Sequence, residues 1–96
     1  MSPKNKLKLN LLRKKLDKLD YQLLKTIKKR TEIVKKVLTL KSYKKEIIDK
    51  KRISVILKKI KKESLKRNID PKITKRIWKN MIWSYIDYEK RNFKKK

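Results

Sequence analysis

The chain has no cysteine, no histidine, no glycine and no alanine. Without cysteine there is no disulfide and no thiol nucleophile. Without histidine there is no imidazole base, and with both missing the usual zinc sites go too. Acids are scarce as well: nine Asp and Glu stand against 34 Lys and Arg in 96 residues, a formal net charge of +25. No apolar run approaches the length of a membrane span, and the start of the chain carries no apolar signal region. With two prolines and no glycine, turn chemistry is thin, and strand alternation is sustained nowhere. These absences lead us to expect a cytoplasmic, cofactor-free, all-α protein of one small domain.

What is present is helical periodicity. A stripe runs Leu9, Leu12, Leu16, Leu19, Leu23, then Arg30, Val34, Val37 and Lys41, in steps of three or four. It predicts a long first helix over about residues 8 to 41. Residues 1–7 read as a flexible tail, and Ser42 to Glu46 as a polar connection. A second helix is expected from about Ile47 to Lys66, with Ile48, Arg52, Val55, Ile56 and Ile60 facing inward. Asn68 suits the left-handed residue that ends a helix. Asp70-Pro71 supplies an N-cap followed by proline at the first helical position. A third helix then runs from about Pro71 to Asn92, with Ile73, Ile77, Trp78, Met81, Ile82, Tyr85 and Glu89 inward. The domain thus spans 8–93, and 94–96 read as a second flexible tail.

The first helix is about 50 Å long at 1.5 Å per residue, too long for two shorter helices to cover. The uncovered half of its stripe needs another chain, so we expect an intertwined homodimeric helical bundle built on the first helix. Three cations interrupt the inward stripes: Arg30, Lys41 and Arg52. A charge that faces a core is costly unless it is paired, and acids are few. Either these side chains snorkel their tips to water or they meet an anionic ligand. Arg30 and Lys41 lie about 16 Å apart along one face, and Arg13 about 25 Å from Arg30. Arg13 therefore reaches the same pocket only from a partner chain.

The net charge also admits a basic nucleic-acid-binding helical dimer. Lysine is spread over every helix instead of forming one basic face, which disfavours that reading. Such binding would collapse in moderate salt, whereas ligand capture in a closed pocket persists better.

The ordered set Leu12-Arg13-x-x-Leu16-Asp17-x-Leu19-Asp20-x-x-Leu23-Leu24, then Lys29-Arg30, Lys41 and Ile48-Asp49-x-x-Arg52, resembles the all-helical class of chorismate mutases over about residues 9 to 90. Members of that class are intertwined dimers of three-helix chains. They rearrange the dicarboxylate chorismate to prephenate, on the way to aromatic amino acids. The resemblance implies that Arg13 reaches a substrate carboxylate from the partner chain and that Arg30 clamps a carboxylate from its own chain. It implies that Lys41 contacts the ether oxygen and a carboxylate, that Arg52 supports the carboxylate end, and that Asp49 lies near the ring hydroxyl. Tyr85 and Glu89 would line the site from the third helix, Glu89 flanking the ether oxygen as a protonated donor, with Ser84 in place of Tyr85 if that helix slips by one residue. One position departs: Ile53 follows Arg52 where these mutases usually carry Glu. Together with the Trp- and Tyr-rich third helix, that resembles a sister branch, isochorismate–pyruvate lyase, which makes salicylate. Asp49, commonly missing from the lyases, favours the mutase.

Overall fold

The computed structural model describes residues 1–94. Three α-helices and one 3-10 turn follow in order: α1 (Pro3–Leu40), the turn (Lys44–Ile47), α2 (Lys50–Lys66) and α3 (Pro71–Asn92). The all-α expectation and the long first helix hold. Among the described residues, no helix is long and apolar enough to cross a membrane. The expected tail 94–96 falls partly outside the description: Lys94 follows the last helix, and Lys95 and Lys96 lie beyond the described residues.

The chain divides into two units, Met1–Ile33 and Val34–Lys96. The first is helical from Pro3, earlier than the sequence reading starts the first helix. Ser2 causes it. Its Oγ accepts the Asn5 N–H at 3.2 Å, and its carbonyl accepts the Lys6 N–H at 2.9 Å. Pro3 sits at the first helical position, where its missing N–H costs nothing. Four leucines of the stripe are uncovered within this unit: Leu12, Leu16, Leu19 and Leu23 are each more than half exposed.

In the second unit α2 and α3 pack on each other as a helical hairpin. α2 ends in a Schellman motif. Asn68 takes φ 56°, the Ile69 N–H donates to the Ser64 carbonyl at 2.9 Å, and the Asn68 N–H donates to the Leu65 carbonyl at 3.3 Å. α3 starts where the sequence placed it: Asp70 Oδ1 accepts the Lys72 N–H at 2.9 Å, with Pro71 next.

Two registers differ from expectation. α2 begins at Lys50, and its less exposed residues are Ile53, Ile56, Leu57 and Ile60, with Ser64 buried. Arg52 and Val55 are exposed, so they do not lie on the inner face. On α3 the buried line runs Thr74, Ile86 and Glu89, with Trp78, Met81, Ile82 and Tyr85 half-buried, while Ile73 and Ile77 are exposed. A polar pair accounts for both shifts. Ser64 Oγ and Thr74 Oγ1 lie 2.8 Å apart, buried between the helices, and Ser64 also donates to the Ile60 carbonyl at 2.6 Å. Small, mutually satisfied hydroxyls let two backbones approach closely, and hydropathy alone assigns them to the surface. The apolar core is small: only Ile47 and Ile86 are buried among the hydrophobic residues described.

Candidate active site

Lys41 follows the last residue of α1, and its N–H closes that helix on the Leu38 carbonyl at 3.2 Å. Its side chain is largely covered, and Nζ donates to Oε2 of Glu89 at 3.0 Å. Glu89 is buried on α3, at 6% exposure, three residues from the end of that helix. The C-terminus of a helix carries partial negative charge and does not favour an anion. The carboxylate there owes its balance to the Lys41 ammonium. Two residues proposed from sequence, 48 positions apart, thus meet in a place with little water.

Beside them lies an open hollow of about 490 Å³, lined by Lys41, Glu46, Ile48, Asp49, Lys50 and Lys51. Both acids of the hollow already have work. Asp49 Oδ1 accepts the Arg52 N–H at 2.9 Å, capping α2. Glu46 Oε1 accepts the N–H groups of Ser42 at 3.1 Å and of Tyr43 at 2.8 Å. Of the three lysines that line the hollow, Lys41 is paired with Glu89, and Lys50 and Lys51 are exposed. A second hollow, of about 440 Å³, lies along α2 and α3 between Leu57, Ile60, Pro71 and Thr74, with lysines at its rim. It includes none of the residues singled out from sequence.

Of the seven candidates, Lys41 meets Glu89, and Lys41 and Asp49 line one hollow, whose lining does not include Glu89. Tyr85 is half-buried one turn before Glu89 on the same face of α3. Ser84 is exposed and donates to the Asn80 carbonyl at 2.7 Å, so the register that puts Tyr85 inward is the one observed. Arg52 gives its backbone N–H to Asp49, while its side chain is exposed. Arg13, exposed, and Arg30, half-buried, belong to the Met1–Ile33 unit. Glu46 escaped the sequence reading. A glutamate at the third position of a helical turn is half of a capping box, but Tyr43 stands where Ser or Thr would have completed the signal.

The model of the chorismate mutase type II family matches residues 12–90. That span contains all seven candidates and all three helices except the first turns of α1 and the last residues of α3. No curated protein and no solved structure matches the chain.

Proposed function

We infer the working of the site from one premise: the chain belongs to the chorismate mutase type II family. It is an isomerase, and its reaction is the rearrangement of chorismate to prephenate. That reaction is pericyclic. One C–O bond breaks as one C–C bond forms, and no nucleophile, metal or general base takes part. Catalysis then needs two things: a substrate held in its compact conformation, and charge placed where the ether oxygen becomes negative.

We assign those tasks as follows. Two copies of the chain pair along α1. Arg13 of one copy reaches a substrate carboxylate in the site of the other. Arg30 grips a carboxylate with the planar fork that suits it, and Arg52 supports the carboxylate end. Lys41 and Glu89 attend the ether oxygen. Atoms 3.0 Å apart leave room for an oxygen at the apex of a triangle, within hydrogen-bond reach of both. Glu89 donates there only in its protonated form. Asp49 has Oδ2 left for the ring hydroxyl after Oδ1 has capped α2, and Tyr85 closes the wall from α3.

The observation that carries this reading is the Lys41–Glu89 contact beside a lysine-lined hollow. The exposed leucines of the Met1–Ile33 unit support the pairing. The test is incubation of the protein with chorismate and, in parallel, with isochorismate. Prephenate formed from chorismate far faster than salicylate and pyruvate form from isochorismate is expected. Salicylate and pyruvate as the dominant products would assign the chain to the lyase branch, as Ile53 and the aromatic α3 would allow.

A further inference from the structure

The geometry points to Glu46 as a positioning residue for the Lys41 ammonium, an inference that rests on the role given to Lys41 above. The backbone leaves α1 through Lys41. The next two amides, of Ser42 and Tyr43, lie between α1 and the 3-10 turn. Both donate to a single atom, Oε1 of Glu46, at 3.1 and 2.8 Å. The Glu46 N–H in turn donates to the Tyr43 carbonyl at 3.0 Å. The two peptides that follow Lys41 are therefore tied to one carboxylate, through hydrogen bonds strengthened by its charge.

That carboxylate is itself fixed. The residue after it, Ile47, is 4% exposed, the lowest value among the described apolar side chains. The 3-10 turn that carries Glu46 and Ile47 packs against α3, the helix that bears Glu89. One connected path results: from the Lys41 backbone through the Ser42 and Tyr43 amides to Glu46, then through Ile47 to α3. The path joins the two ends of the Lys41–Glu89 contact independently of that contact. Without it, Lys41 would sit on a loose exit from a helix end, and its ammonium would lose its fixed distance from the reacting oxygen.

The placement also explains an acid at the edge of a hollow meant for a dianion. A free carboxylate in that position would repel the substrate. Here one oxygen faces two amide dipoles, and the same tie that fixes Lys41 spends part of that charge.

The test compares Glu46→Ala, Glu46→Gln and Lys41→Met with the wild-type protein, measuring kcat and KM for chorismate and checking helix content by circular dichroism. Lys41→Met is expected to lose most of kcat. Glu46→Ala frees both amides and is expected to lose about tenfold or more in kcat/KM, the scale of an ångström misplacement. Glu46→Gln keeps a carbonyl with two lone pairs and is expected to stay within about threefold of wild type. Lys41→Met turns over slowly enough for its chorismate affinity to be titrated, and adding Glu46→Ala to it is expected to leave that affinity unchanged. Unaltered kinetics in Glu46→Ala beside an inactive Lys41→Met would overturn the role of Glu46. So would a loss in Glu46→Gln equal to that in Glu46→Ala, or a further loss of affinity in the double variant. Full activity in Lys41→Met would instead overturn the reading of the site itself.

Discussion

At the scale of single residues, the proposed site turns on a carboxyl group whose two protonation states would do opposite things. Ionised, Glu89 pairs with Lys41 at 3.0 Å and would repel an ether oxygen gaining negative charge. Protonated, it would donate a hydrogen bond to that oxygen and lower the barrier. Glu89→Gln carries an amide N–H that needs no proton uptake and keeps an oxygen for Lys41. It is expected to turn over chorismate at least as fast as the wild-type protein. A marked fall in its kcat would remove the donor role of Glu89 from the chemistry. Removing the acid altogether is a different experiment: an unpaired ammonium in a half-covered place costs on the order of 3 kcal/mol, so Glu89→Ala would mix lost stability with lost catalysis. Periodicity alone put Lys41 and Glu89 on inward faces. It could not pair them, because in a chain this rich in lysine one more lysine on a stripe carries little information. Their pairing was legible only through the family pattern, and Glu46 was not legible at all, since the two amides it holds belong to no regular element.

At the scale of elements, the helix ends show what a sequence states clearly and what it hides. Ser2-Pro3 and Asp70-Pro71 carry the same cap-then-proline signature, and both start helices. The second was legible because an apolar stripe follows it. The first was missed because residues 3–8 offer a single leucine among polar neighbours. Likewise Ser64 and Thr74 set the register of α2 on α3 through one buried hydroxyl contact, which a count of apolar residues passes over. Asp49 shows the gain from seeing the element. Read as a ligand-binding acid, it is also the N-cap of α2. Asp49→Ala is expected to lower stability by about 1 kcal/mol in chemical or thermal unfolding, whereas Asp49→Asn, an equally good cap, should stay within a few tenths. Equal losses in the two variants would mean that capping is not what this side chain contributes. With stability separated in this way, any fall in turnover in Asp49→Asn reports the charge alone.

At the scale of the whole molecule, four stripe leucines more than half exposed, Leu12, Leu16, Leu19 and Leu23, are a large apolar surface for a chain with so small a core. In the proposed dimer, a second copy laid along α1 covers them and brings in Arg13. Burial of such side chains contributes roughly 1.5–3 kcal/mol each, against the repulsion of two chains of formal charge +25. Salt screens that repulsion over about 10 Å at 0.1 M, so the dimer is expected to tighten as salt is raised, opposite to the response of a complex held by phosphate contacts. Sedimentation over a range of salt and protein concentrations reads this directly. The proposed sharing of the site gives a sharper consequence. Arg13→Ala spoils the arm a chain lends to its partner, and Arg30→Ala spoils the clamp in its own pocket. Each homodimer then has two defective sites. In a mixed dimer, the pocket on the Arg13→Ala chain keeps Arg30 and receives an intact Arg13 from the other copy, while the second pocket lacks both. One site in two is whole, so a solution of verified heterodimers should recover about half the wild-type turnover per dimer. Recovery absent from confirmed heterodimers would place Arg13 outside the site, and the leucine stripe would then need some other cover.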